Sequence, residues 1–189
     1  MPGALFLPEV PVSRRFLCVA IPTQSRDNPG CQPSELRMSE RTFVMVKPDG
    51  VGRRLVGKII DRYESKGLKL VAMKLQVVPV ATAHKHYEEH KGKPFFDGLV
   101  EFITSGPSVQ MVWEGTGAVE QVRKMNGATN CAKADIGTIR GDFGLSLQYN
   151  LVHASDSVET AAREISVYFA PEELVSHTMR DEDWLSAGN

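Results

Sequence analysis

Residues 41–50 read RTFVMVKPDG, an apolar run that stops at a turn signal. Residues 42–46 are rich in β-branched and aromatic side chains, which predicts a short buried strand. The segment 47–50 ends that strand, because proline and glycine interrupt regular structure. The next apolar residues recur with the period of a helix, which a glycine at position 67 can end: Val56, Ile59, Ile60 and Tyr63. The first elements predicted are therefore a strand, a turn and a helix.

Strand-like and helix-like periods alternate along the rest of the chain. They predict further strands at residues 68–78, 108–113 and 143–151. Helices are predicted at residues 82–90, 95–104 and 115–126, whereas residues 128–141 show no period and predict a long loop. Asp156 and Glu159 have the spacing of a helix N-cap and its reciprocal glutamate, so a last helix is expected after them.

The predicted element order is β-α-β-α-α-β-α-β-α, which places the chain in the α+β class. Its central part follows the β-α-β-β-α-β plan of ferredoxin-like sandwiches. We therefore expect a ferredoxin-like α/β sandwich, in which a four-stranded antiparallel sheet has helices packed on one face.

Composition limits the class of protein. The chain has 189 residues, of which 42% are apolar and 24% charged, as is typical of a globular domain. Its formal net charge is -1 and no dense run of lysine and arginine is present, so no specific nucleic acid is expected as a partner. No apolar stretch approaches the roughly 20 residues of a membrane span, so no membrane partner is expected. Three scattered cysteines favour a reducing compartment, and we expect a cytoplasmic location.

Composition changes near residue 38. Six of the eleven prolines fall within the first 37 residues, where no helical or strand period persists. Residues 1–38 are therefore predicted to form a weakly structured N-terminal extension, and residues 39–189 the folded domain. Arg14 and Arg15 precede a short apolar run, as in a targeting peptide, so a mitochondrial location is the alternative. A disordered tail and a later start at Met38 are further alternatives.

Residues 150–157 read NLVHASDS and carry the most informative chemical signal. His153 falls where the fourth predicted strand ends and the last helix begins, beside small side chains that leave room for a reactant. A neutral imidazole is a competent nucleophile toward phosphorus near neutral pH, because the free side chain has a pKa of about 6.5. Glu164, about three helical turns later, can hydrogen-bond the ring and choose its tautomer. The alternative is that His153 caps or packs at the strand end.

Positive groups are spread along the chain in places suited to binding phosphate. Lys47 ends the first predicted strand, Arg123 closes a predicted helix, and Arg140 precedes the fourth predicted strand. Phosphoryl transfer needs such groups, because the charge on the phosphate oxygens must be neutralised while the reacting atoms are held in line. Thr129 and Asn150 add neutral donors. Each cation alone is more often an ordinary surface charge, but the set is chemically coherent.

Seven ordered segments resemble the nucleoside diphosphate kinase family. They are RTF with KPDGV at 41–51, PFF at 94–96, SGP at 105–107, MVWEG at 111–115, GTIRGDF at 137–143, NLVHASDS at 150–157 and PEEL at 171–174. The resemblance covers residues 40 to about 184. It implies that residues 39–189 are a nucleoside diphosphate kinase-like catalytic domain, which transfers the γ-phosphate of a nucleoside triphosphate, typically ATP, to a nucleoside diphosphate.

The resemblance also implies the mechanism and the roles of individual residues. His153 carries the phosphate between two half-reactions of a ping-pong cycle, and Ser155 and Glu164 support it. Phe95 stacks on the base, which predicts broad base tolerance because stacking does not read the base edge. The contacts to phosphates and ribose fall on Lys47, Tyr87, Arg123, Thr129, Arg140 and Asn150. For Tyr87 and Phe95, simple packing is the alternative.

Cofactor, partners and assembly follow from the same resemblance. Mg²⁺ is expected to arrive mainly on the nucleotide phosphates, and no protein ligand is assigned to it. The expected partners are nucleoside di- and triphosphates and further copies of the chain in a homohexamer. Cys131 and Ile136 stand where the family's long loop usually has prolines, which should loosen that loop, and Ala154 replaces a common glycine. Two other functions stay open: a nucleotide-binding interaction protein without turnover, and a phosphohistidine carrier directed at other proteins.

Overall fold

A four-stranded sheet organises the described part of the chain. The computed structural model describes residues 39–180, so the predicted extension at residues 1–38 lies outside it, as do residues 181–189. The strands are Ser39–Val46 (β1), Lys69–Gln76 (β2), Ser108–Thr116 (β3) and Val152–Ala154 (β4). They pair antiparallel in the order β2-β3-β1-β4. The predicted four-stranded antiparallel sheet of a ferredoxin-like α+β fold is confirmed.

Helices connect the strands in the predicted order, with two short helices that were not predicted, α1 and α6. Their bounds are Pro48–Gly52 (α1), Val56–Ser65 (α2), Val80–His86 (α3), Phe96–Thr104 (α4), Ala118–Asn126 (α5), Ile139–Phe143 (α6) and Val158–Tyr168 (α7). Short 3₁₀ segments lie at Glu88–His90, Cys131–Lys133 and Pro171–Glu173. The loop predicted at residues 128–141 therefore contains one 3₁₀ turn and the start of α6. No helix among residues 39–180 combines the length and apolarity needed to cross a membrane.

Helices cover both faces of the sheet, so the expectation of one covered face was wrong. Phe43 and Met45 of β1 pack with apolar residues of α3, α4 and α7. Val44 and Val46 point to the opposite face, where they pack with residues of α2 and α5. Side chains alternate between the two faces of a strand, so a run of consecutive apolar residues such as 43–46 requires a core on each side.

The fourth strand is shorter and later than the predicted strand at residues 143–151. Leu145 and Leu147 are 97% and 61% exposed, so these two apolar side chains in the middle of the segment do not face the core. Leu151 has a φ of 71°, a left-handed conformation that strand pairing does not allow. The Leu151 amide donates to Oδ2 of Asp49 at 3.0 Å, which holds that turn. Pairing with β1 therefore begins at Val152.

Two helix boundaries bear on the sequence predictions. Gly67 has a φ of 87° just after α2, as expected for a glycine that ends a helix. The cap of α7 is Ser157, whose Oγ accepts from the amide of Thr160 at 3.0 Å, so the predicted cap at Asp156 is one residue too early.

Candidate functional site

A cleft of about 1360 Å³ lies over the edge of the sheet formed by β1 and β4. It is lined by residues from the end of β1, from α3 and α5, from the loop after α5, and from β4 and α7. Nine of the ten predicted site residues line it: Lys47, Tyr87, Arg123, Thr129, Arg140, Asn150, His153, Ser155 and Glu164. The tenth, Phe95, does not.

His153 is the central residue of β4, where it pairs with Met45 of β1. Its neighbour Val152 points to the core on the far face of the sheet, so the alternation of a strand turns His153 toward the face covered by α3 and α7. The imidazole ring lies 6.0 Å from the Phe43 ring centroid, and its side chain is 23% exposed. His153 is thus anchored by a core strand and open to the cleft.

A buried carboxylate holds the ring. Nε2 of His153 lies 2.9 Å from Oε1 of Glu164, and the other carboxylate oxygen accepts from the Ser155 hydroxyl at 2.5 Å. Because an ionised carboxylate only accepts hydrogen bonds, Nε2 carries the proton and Nδ1 keeps a free lone pair. Glu164 is 3% exposed, and each of its carboxylate oxygens has one of these two side chains as its partner. The Ser155 amide is fixed in turn by the Phe43 carbonyl at 3.1 Å.

Lys47 and Asn150 form a second polar unit. The Lys47 ammonium donates to Oδ1 of Asn150 at 2.8 Å, and Nδ2 of Asn150 donates to the Thr129 carbonyl at 3.1 Å. Burial, and then the nearby Arg140 cation, lower the pKa of Lys47 to about 8. A nearby anion favours the charged form of such a group, so the pKa of Lys47 should rise when an anion binds beside it. Asn150 therefore joins the end of β1 to the loop after α5.

Arg140 is almost fully buried and donates to three carbonyls in two backbone segments, the end of α5 and the start of β4. Its guanidinium donates to the carbonyls of Gly127 at 2.8 Å, Val152 at 2.7 Å and Asn150 at 3.2 Å. Three of its five N–H groups are used in this way, which leaves two for another partner. Burial lowers the pKa of Arg140, but a guanidinium keeps its charge at neutral pH. Arg123, by contrast, is exposed in the last turn of α5.

The two aromatic candidates differ in their position. The Tyr87 side chain is buried, its hydroxyl has no hydrogen-bond partner among residues 39–180, and burial raises its pKa. Phe95 is 54% exposed, and its ring contacts His90 with a centroid separation of 5.6 Å. His90 itself lines the cleft, so Phe95 stands beside the cleft rather than in it.

Comparison with known proteins identifies the family. The family model described as nucleoside diphosphate kinase matches residues 40–174. The chain belongs to the nucleoside diphosphate kinase family. Relatives of that name from Acaryochloris marina and Archaeoglobus fulgidus are each 58% identical over 146 residues, which cover 77% of this chain and 98% and 97% of theirs.

Solved structures of nucleoside diphosphate kinases agree with the fold. The Halobacterium salinarum enzyme in complex with CDP is 52% identical, has a TM-score of 0.76, and is matched over 78% of this chain and 99% of its own. A nucleoside diphosphate kinase family protein from Babesia bovis is 48% identical with a TM-score of 0.76, over 77% of this chain and 99% of its own.

His86 is a residue of the cleft that the nucleoside diphosphate kinase motifs and our sequence reasoning did not single out. It lies at the end of α3, is 3% exposed, and packs edge-on against the His153 ring with 4.6 Å between centroids. Its Nδ1 is 3.7 Å from Oε1 of Glu164. The helical spacing of α3 places it on the face that carries Ala83, and this spacing was the available signal.

Proposed function

We propose that this chain transfers the γ-phosphate of a nucleoside triphosphate, typically ATP, to a nucleoside diphosphate through phospho-His153. The observation that carries the proposal is the chain of hydrogen bonds from His153 through Glu164 to Ser155, set in a cleft that is also lined by cations. This arrangement leaves one ring nitrogen free and orients it. A kinase that works through a covalent intermediate needs such an oriented nucleophile.

The first half-reaction follows from the tautomer. Nδ1 of His153 attacks the γ-phosphorus, the bond to the oxygen that bridges the β- and γ-phosphates breaks, and the nucleoside diphosphate leaves. Positive charge then builds on the ring, and the Glu164 carboxylate stabilises it through Nε2–H. In the second half-reaction a terminal oxygen of another diphosphate attacks the same phosphorus, and the bond to Nδ1 breaks. The ring is regenerated, so the cycle is ping-pong.

The remaining site residues are proposed to hold the nucleotide. Lys47, Arg123 and Arg140 neutralise the phosphate oxygens, and each lines the cleft with His153. Thr129, Asn150 and the unpartnered Tyr87 hydroxyl are suited to hydrogen-bond phosphate or ribose. Because Lys47 and Arg140 are already fixed by Asn150 and by backbone carbonyls, little reorganisation is needed when phosphate binds.

Mg²⁺ is proposed to enter with the nucleotide phosphates. The cleft fits a hydrated hard cation, since the carboxylates of Glu89 and Asp156 line it and can accept hydrogen bonds from metal-bound water. When bound, the ion neutralises charge on the β- and γ-phosphate oxygens. The chain's own residues then supply the nucleophile and the cationic contacts described above.

Phe95 is proposed to bind the base by stacking. Its ring is half-exposed next to His90 of the cleft, so it offers a flat surface to a base that projects from the cleft. Stacking of this kind is worth about 1–3 kcal/mol per base and does not distinguish bases strongly. Broad base tolerance follows, and the CDP complex of the Halobacterium salinarum relative supports a pyrimidine as one substrate.

Assembly and location belong to the same proposal. We propose a homohexamer in the cytoplasm, with a mitochondrial location as the alternative if residues 1–38 act as a targeting segment. The exposed apolar residues of β2 and of the loop before β4 support self-association: Met73, Leu75, Leu145, Leu147 and Tyr149. Native mass spectrometry would give the number of copies, and a monomer at micromolar concentration would contradict the proposal.

Phosphorylation by labelled ATP tests the proposed function. The full chain is incubated with γ-labelled ATP and Mg²⁺, isolated, and then mixed with a set of nucleoside diphosphates. We expect an acid-labile phosphoprotein whose label moves rapidly onto every diphosphate. Failure of the wild-type chain to take up label would refute the kinase. Label that is taken up but passes only to another protein would instead favour the phosphohistidine carrier, and nucleotide binding without label would favour the interaction protein.

Two histidine variants locate the nucleophile. His153→Ala should take up no label, because the attacking Nδ1 is gone. His84→Ala is the matched control, since His84 is exposed on α3 and contacts Phe96 rather than the cleft. It should be labelled like the wild type. Label on His153→Ala would rule out our choice of nucleophile.

A further inference from the structure

Three metal-binding side chains converge at the base of the cleft. His86, His153 and Glu164 each offer one ligand atom, and these atoms lie within 4.8 Å of one another. Oε1 of Glu164 is 2.9 Å from Nε2 of His153 and 3.7 Å from Nδ1 of His86. Around an ion bound tetrahedrally at about 2.0–2.1 Å, neighbouring ligand atoms lie roughly 3.3 Å apart. The two distances to Glu164 fall on either side of that value.

His86 has no explanation within the phosphoryl-transfer chemistry. It is 3% exposed, and neither of its ring nitrogens has a hydrogen-bond partner in the described part of the chain. A neutral imidazole keeps one ring lone pair, and no group in the described residues uses that of His86. A buried polar group without a partner costs about 1–3 kcal/mol, and it calls for a water or an ion as its partner.

The types of ligand select the class of ion. Two imidazoles and a carboxylate suit zinc and its neighbours in the first transition series. Magnesium prefers oxygen ligands and retains its water, so it does not fit a site made mostly of nitrogen. The site therefore differs in chemistry from the nucleotide-bound Mg²⁺ of the proposed reaction.

We propose that His86, His153 and Glu164 bind a zinc-class divalent ion that switches the nucleophile off. The metal-binding part of this inference rests on the geometry and ligand types of the three side chains, whereas the inhibitory part rests on the proposed function of His153. The two parts are tested separately.

The tautomer of His153 explains the inhibition. A neutral imidazole carries one proton, which Nε2 donates to Glu164 in the active arrangement. An ion bound to Nε2 takes the lone pair there, so the ring's proton must reside on Nδ1. Nδ1 then has no lone pair with which to attack phosphorus. Phosphorylation at Nδ1 likewise leaves the proton on Nε2 and blocks the ion, so the two events exclude each other.

Cobalt spectroscopy tests the site directly. Co²⁺ replaces zinc at nitrogen and oxygen sites, and its visible absorption is strong when it is bound tetrahedrally. Titration of the full chain with Co²⁺ alone should give a saturable visible band with one ion per chain. In His86→Leu the Kd for Co²⁺ should rise at least about tenfold, the lower limit seen when even indirect supports of a metal are removed. His84→Asn, which changes an exposed histidine of the same helix, should bind Co²⁺ like the wild type.

The phosphorylated protein provides a test that needs no substitution. Wild-type chain labelled on His153 and freed of nucleotide should lose the Co²⁺ band, and discharge onto a nucleoside diphosphate should restore it. Zn²⁺ added before ATP should slow labelling of the wild type, and at least about tenfold more Zn²⁺ should be needed in His86→Leu. Absence of the band, an equal band in His86→Leu, or an equal band in the phosphoprotein would each overturn the inference. Label uptake in metal-free buffer is measured first, so failure of the kinase itself is recognised separately.

Discussion

Removal of the Glu164 carboxylate should slow phosphorylation of His153 and leave nucleotide affinity nearly unchanged. In Glu164→Ala, Nε2 of His153 and the Ser155 hydroxyl both lose their acceptor. A hydrogen bond to a charged group contributes about 1.5–3 kcal/mol, and the charge on the ring grows as phosphorus is attacked. If all of that energy is lost in the transition state, the rate falls roughly 10- to 150-fold.

Glu164→Gln separates charge from shape. The amide can still accept from Nε2 and can donate to the Ser155 oxygen, so the ring keeps its position. What is lost is the difference between a charged and a neutral hydrogen bond, about 1 kcal/mol, or roughly fivefold in rate. The expected order of rates is therefore wild type, then Glu164→Gln, then Glu164→Ala. Glu159→Gln, on the exposed first turn of α7, is the matched control and should keep the wild-type rate.

Rapid-quench labelling with γ-labelled ATP measures this step directly, because it isolates the first half-reaction from product release. Nucleotide affinity, measured separately by calorimetry, should change little in either variant. Wild-type labelling by Glu164→Ala would refute the role of the carboxylate. A Glu164→Gln rate below that of Glu164→Ala would refute the reasoning from charge.

Three further predictions concern the cations and the last helix. The pKa of Lys47 is lowered to about 8, so its charge is present below that pH and lost above it. Apparent nucleotide affinity, measured by calorimetry, should therefore fall roughly fivefold between pH 8 and pH 9. Lys47→Met should show no such fall. Arg140→Met leaves three backbone carbonyls without their donor, so the free energy of unfolding measured in urea should fall by at least about 2 kcal/mol. Arg123→Met should instead lower the labelling rate and leave the urea midpoint unchanged. Ser157→Ala removes the cap of α7 and should cost about 1 kcal/mol in the same urea experiment, with label uptake unaffected at saturating ATP.

The sequence predicted the sheet well but its surroundings less well. The apolar run at residues 42–46 predicts a buried strand, and the structure has β1 there. The same run also implied cores on both faces, and the analogy with ferredoxin-like sandwiches obscured that implication. Around residues 143–151 apolar residues alternate as in a strand, yet Leu145 and Leu147 face outward. Periodicity shows that side chains share a face, but it does not show whether the covering surface belongs to the same chain.

Contacts of the site could be predicted where the two residues are close in sequence, and not where they are far apart. Glu164 follows His153 by eleven residues across one strand-to-helix turn, so helical geometry alone brings it within reach. Asn150 and Lys47 are 103 residues apart, and their contact depends on the pairing of β4 with β1. His86 was overlooked because a histidine on the buried face of a helix has the same spacing as a packing residue. The ligands it meets come from β4 and α7, which sequence spacing does not connect with α3.

The contacts of Asn150 imply that the stability of the fold depends on the concentration of nucleotide. Its hydrogen bonds reach partners 103, 21 and 10 residues away, so the groups proposed to bind phosphate come together only after the whole domain has formed. A nucleotide that binds there recognises the native state and not the unfolded chain. Such a ligand stabilises the native state by about 2.7 kcal/mol when its free concentration is 100 times its Kd. Nucleotide depletion would therefore lower resistance to unfolding and proteolysis at the same time as it removes the substrates.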